Sequence, residues 1–162
     1  MQIVVSVAEA LSLALARGPL PPVVRSVVAD GSTVHAEIDL RAVPDPPTAL
    51  RFAASALGTV SVALRFTGFD GAVATFEVSA QARALPAHKL LNYLVGPVNA
   101  ALAARGLPEG LVAIRKGTGE PVLAIGVRDA VAAQVEGVTL TALDVRDGAV
   151  HVTAEIGQVR VR

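Results

Sequence analysis

Val23-Val24-Arg25-Ser26-Val27-Val28-Ala29, then Asp30-Gly31-Ser32, then Thr33-Val34-His35-Ala36-Glu37-Ile38-Asp39-Leu40 reads as two strands around a glycine turn. In the second run Val34, Ala36, Ile38 and Leu40 share one parity and His35, Glu37, Asp39 and Arg41 the other. That alternation belongs to a strand with one dry and one wet face. A three-residue loop Asp30-Gly31-Ser32 sets Val24, Ser26 and Val28 on the dry side and Arg25 opposite Glu37 on the wet side. A helical stretch, Ala8 to Arg17, precedes the pair.

The same unit, helix then hairpin, recurs along the chain. Asp45-Pro46-Pro47 opens a second helix as an acidic N-cap followed by prolines, and Leu57-Gly58 stops it. Val60, Val62, Leu64 and Phe66 then face Ala72, Ala74, Phe76 and Val78 across Phe69-Asp70-Gly71. A third helix runs from about Pro86 to Ala104 with a kink expected at Pro97. Its strands, Leu111 to Arg115 and Val122 to Gly126, flank Lys116-Gly117-Thr118-Gly119-Glu120-Pro121. The fourth copy has a helix from Arg128 to Glu136 with Gly137 as its stop, and strands Thr139 to Arg146 and Ala149 to Ile156 around Asp147-Gly148. The two-residue turn pairs Val145 with Val150, Leu143 with Val152 and Thr141 with Ala154, and sets Asp144 opposite His151 outside. Gly157 reads as a bulge that returns Val159 and Val161 to the apolar face.

These units imply an α+β fold: a largely antiparallel sheet of about eight strands built from repeated helix-hairpin units, with helices packed on its apolar face. No stretch reads as a flexible linker, so residues 1–162 are expected to form a single domain. Its pseudo-repeat halves, 1–84 and 85–162, meet near Gln81 to Leu85.

The chain of 162 residues is 52% apolar and 17% charged, with 14 basic and 14 acidic residues and no cysteine or tryptophan. Zero net charge and only four Phe and one Tyr argue against a nucleic-acid partner. The lack of cysteine excludes disulfides, thiolate metal sites and a cysteine nucleophile. The start, Met1 to Glu9, has no basic n-region and does not read as an export signal, so a cytoplasmic location is expected. The longest uncharged runs, Phe52 to Leu64 and Leu90 to Ala104, are too short for a transmembrane helix.

Two places carry residues able to do acid–base chemistry or bind metal: His35 with Glu37 and Asp39 on one strand face, and His151 with Asp144 and Glu155. Amphipathic alternation alone accounts for both, and an Asp144–His151 pair reads as a surface ion pair. The turn Lys116-Gly117-Thr118-Gly119 lacks a P-loop pattern, and no helix follows it. No cofactor or metal motif is present, and no Gly-x-Ser-x-Gly, His-Glu-x-x-His or EF-hand loop appears. What stands out is apolar side chain in excess: charge is below the usual ~25% of a soluble domain. The helix from Pro86 to Ala104 has a wide apolar arc, and Leu90, Leu91, Tyr93, Leu94, Val98 and Leu102 are its candidates for a ligand or subunit contact.

Leu85-Pro86-Ala87-His88-Lys89-Leu90-Leu91-Asn92-Tyr93-Leu94, Gly106-Leu107-Pro108-Glu109-Gly110-Leu111, Gly137-Val138-Thr139-Leu140 and Val145-Arg146-Asp147-Gly148-Ala149-Val150 together resemble segments of the bacterial tubular lipid-binding (TULIP-like) family. The resemblance covers residues 85–156. It implies a curved antiparallel sheet around a long helix, an apolar channel for acyl chains, and lipid binding without catalysis. The expectation is therefore a non-enzymatic domain that binds an apolar, lipid-like small molecule or a protein, as a homo-oligomer. Two alternatives stand beside it: a hydrolase or lyase using His35 or His151 with nearby carboxylates, and a structural oligomerisation module that pairs through its strand edges.

Overall fold

The computed structural model describes residues 1–20, 22–43, 46, 48–81, 86–116 and 119–161. In chain order the elements are β1 (Gln2–Ser6), α1 (Val7–Arg17), β2 (Val24–Asp30), β3 (Thr33–Asp39), a 3₁₀ turn (Leu40–Ala42), α2 (Thr48–Leu57), β4 (Thr59–Phe69), β5 (Ala74–Gln81), α3 (Ala87–Ala104), β6 (Val112–Arg115), β7 (Val122–Ile125), α4 (Val127–Gln134), β8 (Val135–Arg146) and β9 (Ala149–Val161). After β1 the order is helix, strand, strand four times over. The fold is α+β with antiparallel pairing throughout, and the described strands fall into two sheets, β2-β3-β4-β5-β7-β6 and β1-β9-β8. Each sheet draws strands from both halves of the chain, because β5 pairs with β7 and β1 with β9.

The hairpins follow the hydrophobic pattern, with corrections that turn geometry imposes. In β2–β3 the loop has two residues, Gly31-Ser32, because Asp30 pairs with Thr33. Glycine at the first turn position, at φ +60°, suits such a tight connection. The register therefore shifts by one, so Val27 rather than Val28 lies beside Ala36 and Val62 on the dry face, and Val28 is 61% exposed opposite His35. A bulge between Val24 and Ser26 absorbs the shift, and Arg25 is turned toward Asp39, at 3.9 Å, instead of Glu37. In β4–β5, Leu64 pairs with Val78 and Phe66 with Phe76, whose rings meet edge-on at 5.5 Å. The loop there runs to Val73 because the Asp70 carboxylate accepts the N–H groups of Ala72 and Val73, at 2.9 and 2.7 Å. Those two hydrogen bonds hold the Asp70 carboxyl below its ordinary value.

In β8–β9, Val145 pairs with Val150, Leu143 with Val152 and Asp144 with His151, as the two-residue turn requires. Asp147 and Gly148 both have positive φ, the conformation such a turn demands. Thr141 does not pair with Ala154: a bulge beside it gives that place to Leu140. Nor does Gly137 stop a helix. α4 ends at Gln134, and Gly137 sits inside β8 at φ +83°, where a register shift against β9 takes up the extra residues around Gly157. Asp45 and Pro47 of the expected helix cap and Gly117-Thr118 of the β6–β7 turn lie outside the described residues, as do residues 82–85 at the expected meeting of the two halves.

One face of the six-stranded sheet carries Ile38, Val60, Val62, Val78, Leu123 and Val112, and α2 and α3 cover it with Leu50, Ala54, Leu90, Leu91 and Leu94. α3 runs as one helix through Pro97. It is keyed to the sheet's edge strand by Asn99, whose amide donates to the Val112 carbonyl at 2.8 Å and whose carbonyl oxygen accepts the Val112 N–H at 3.0 Å. A side chain thus pairs with β6 as a further strand would, satisfying an edge that the sheet leaves open. The smaller sheet buries Val145, Ala149 and Ala154 outside this cluster. Its hairpin tip meets that of β2–β3: Gly148 donates to the Gly31 carbonyl at 3.0 Å, and its own carbonyl accepts the Val7 N–H that begins α1.

Asp39, placed by alternation on the wet face, is instead nearly buried at the end of β3. The Asp39 carboxylate accepts the Arg41 backbone N–H at 3.0 Å and Nε at 3.2 Å, with Arg25 on its other oxygen. Burial alone would push this carboxyl up. The hydrogen bonds from Arg41 and the charges of Arg41 and Arg25 outweigh it, so Asp39 titrates below its ordinary value of 3.8.

Because the folded Asp39 carboxyl is more acidic than the unfolded one, the stability it contributes is complete above pH 3.8 and lost as pH falls through its folded pKa. Asp39→Asn should therefore flatten the acid limb of the melting temperature against pH while lowering stability at neutrality, as thermal melts across that range will read. Gly137→Ala should cost about 3 kcal/mol or more in denaturant titrations, since a Cβ there runs into the Gln158 carbonyl at a left-handed backbone position. Gly148→Ala, with only the Ala29 carbonyl in ordinary contact, should cost about 1 kcal/mol.

Candidate functional site

Among the described residues, a groove of about 1010 Å³ is lined by Leu13, Ala14 and Ala16 of α1, Leu102, Ala104, Arg105 and Leu107 at the end of α3, and Gln134 of α4. Local sequence builds both walls. α1 starts at Ser6, whose hydroxyl accepts the Glu9 N–H and donates to the Glu9 carboxylate, both at 3.0 Å. The helix that follows is apolar on more than one side, and its packing against β2 leaves Leu13 66% and Leu15 50% exposed. α3 ends in a Schellman motif: Gly106, at φ +83°, donates to the Ala103 carbonyl and Leu107 to that of Leu102. That motif brings its third-last residue and the residue after glycine together, so Leu102 and Leu107 share the groove. Arg105 closes one end, its Nη2 donating to the Pro19 carbonyl.

Of the apolar candidates on α3, Leu90, Leu91 and Leu94 are buried in the core. Tyr93 and Val98 are half-buried against it, and only Leu102 reaches the groove. Leu13, Ala14 and Leu107 lie outside the set that periodicity marks. The signal for Leu107 is there in Leu102-Ala103-Ala104-Arg105-Gly106-Leu107, a helix end followed by glycine and leucine.

The sites of His35 and His151 are smaller and stay apart. His35 and Glu37 lie on the wet face of the larger sheet, in a depression of about 300 Å³ with Ser26, Ser61 and Ser79. His35 is flanked by Val28 and Ala63, and Glu37 by Ser26 and Ser61. His151 and Asp144 border a cleft of about 270 Å³ on the smaller sheet with Gln2, Val4 and Thr153. Arg146 lies between them, 3.2 Å from the Asp144 carboxylate and 3.4 Å from His151 Nδ1. A guanidinium has only donors, so this contact makes Nδ1 the acceptor and puts the ring proton on Nε2. Nε2 is itself buried without a partner. No group of three or more potential metal ligands is assembled among the described residues, and none of the described helices is long and apolar enough to cross a membrane.

Comparison of the chain with protein-family models, curated proteins and solved structures finds no match.

Core and groove positions on these helices respond differently to the same change. Leu94→Asp, at 7% exposure, should destabilise the chain by more than about 4 kcal/mol or prevent folding, whereas Leu13→Asp should stay within about 0.5 kcal/mol of the parent in denaturant titrations.

Proposed function

We propose that this chain is a non-enzymatic binding domain that holds the apolar chain of an amphipathic small molecule in the groove between α1 and the end of α3, with Arg105 meeting an anionic end group. The observation that carries this reading is the groove itself. It has the volume of a small-molecule site, and of the described residues that line it six of eight are Leu or Ala. Its two polar residues, Arg105 and Gln134, belong to the same lining, the arrangement that fixes the orientation of an otherwise apolar ligand. One Arg105 nitrogen is engaged by Pro19, and a guanidinium has further donors to offer an oxyanion. The resemblance of residues 85–156 to tubular lipid-binding proteins points to the same ligand class, though here the groove lies on the outer end of the long helix.

The reading is tested with a fluorescent long-chain fatty acid titrated into the purified protein, alongside native mass spectrometry of protein prepared without detergent. Saturable one-to-one binding is expected. Ala14→Trp, which fills the groove from α1, should weaken it at least about tenfold, or about 1.4 kcal/mol, with the melting temperature unchanged. No saturable binding, or binding that Ala14→Trp leaves untouched, would remove the groove as the site.

A further inference from the structure

At the other end of α3 from the groove, a cavity of about 480 Å³ lies between the helix and the last residues of β6. His88 and Asn92, one helical turn apart on α3, line one side, and Ile114, Arg115 and Lys116 the other. No acid lines it among the described residues; Glu120, in the turn that follows, is exposed and outside the lining. Arg65, Arg128 and Arg146 each have a carboxylate within 4.0 Å, whereas Arg115 and Lys116 have none among the described residues. Asp70 feels Arg115 only at longer range, after the hydrogen bonds from Val73 and Ala72 that hold its carboxyl low. Two neighbouring cations without a counter-ion, set in a cavity that Ile114 and Pro121 make partly apolar, concentrate positive potential there.

The backbone beside them is open as well. Gly126 donates to the Leu111 carbonyl at 2.8 Å, so Leu111 turns toward the β7 side, and alternation turns Ala113 and Arg115 the same way. Val112 and Ile114 therefore direct their N–H and carbonyl groups away from β7. Asn99 takes both groups of Val112. Those of Ile114, the next along this edge, open beside the cavity, and β6 pairs with no strand other than β7 among the described residues.

We propose that this cleft binds the carboxyl terminus of a peptide, which lies along β6 in the same direction and sets its terminal carboxylate at Lys116 and Arg115. In parallel pairing the Ile114 N–H donates to the carbonyl one residue before its opposite number, and the Ile114 carbonyl accepts the N–H one residue after it. A chain end in that register has its last N–H on Ile114 and its carboxylate beside residues 115 and 116, where the cations are. The reverse direction would bring the peptide's amino end to them. Asn99, seated on Val112, ends the free edge two residues upstream, so only the last three residues of a peptide have strand to lie on. A peptide carboxyl terminus supplies both things the cleft asks for, paired backbone groups and one negative charge at their end; a free acetate or phosphate supplies only the second. This site is separate from the groove, and neither reading depends on the other.

NMR of the ¹⁵N-labelled chain titrated with acetyl-Leu-Ala, which supplies two amides and a free carboxylate, tests it. Saturable shifts at the Ile114 and Lys116 amides are expected, with a dissociation constant of about 1 mM or tighter. Amidating the carboxyl group should weaken binding at least about tenfold, and so should N-methylating the Ala nitrogen, which removes the N–H meant for the Ile114 carbonyl. Lys116→Glu should do the same, and His88→Glu repeats the charge reversal at a second exposed position on the facing helix should the first variant melt early. No saturable shift at Ile114, acetate binding as tightly as the dipeptide, or an affinity that amidation, N-methylation or the charge reversals leave unchanged would each overturn the proposal.

Discussion

The apolar face of the six-stranded sheet must be covered, and the covering of that face by α2 and α3 is the contact on which the rest of the molecule depends. Val62 and Val78 sit at its centre, and Leu90, Leu91 and Leu94 of α3 lie in the same cluster. At about 1.5–3 kcal/mol for each large side chain removed from water, this contact outweighs any surface ion pair such as Arg65–Glu77, which is exposed and held at 3.0 Å. It also decides what α3 is free to do. Its buried face is spent on the core, while its last turn, past the Asn99 bond to Val112, lines the groove with α1.

Local pattern carries far in this chain because antiparallel hairpins are local. The period-two runs, the Asp-Gly turn between β8 and β9, and the glycine after α2 specify elements and pairings within about a dozen residues of one another. What pattern does not carry is non-local or depends on a single turn residue. β1 is five residues long and its partner β9 lies at the other end of the chain, so nothing in Gln2 to Ser6 announces a strand until β9 exists to receive it. The division into two sheets has the same origin: every hairpin looks alike, and only the pairing of β5 with β7 shows that the third joins the first two while the fourth stands apart. Gly137 shows how one residue type serves two ends. Glycine after a helix and glycine in a bulge both need positive φ, and here the residues between Gln134 and Val138 are already strand.

The candidate site is legible in the sequence only in part, for a related reason. Counting apolar residues on the long helix shows that its arc is wide, but not which sector meets the sheet. Leu102 and Leu94 are alike as apolar positions on that arc, yet Leu94 is buried and Leu102 is only partly covered. On the sheets the polar residues are easier to place than to interpret. His35 and Glu37 do share a wet face, while Asp39, of the same parity, is drawn under by two arginines where the strand gives way to a 3₁₀ turn.

Low charge and an apolar majority in the composition become surfaces of two kinds in the folded chain. On α1, Leu13 and Leu15 are presented by a helix whose backbone hydrogen bonds are satisfied internally, so an occupant there gains by filling volume and removing apolar area from water. On β9, Ile156, Val159 and Val161 are exposed on a strand that, among the described residues, β1 accompanies only as far as Ala154, so these side chains lie over a two-stranded ribbon. The apolar ligand proposed for the groove suits the first kind of surface, because a hydrocarbon chain has no groups with which to meet the backbone N–H and carbonyl groups of a strand.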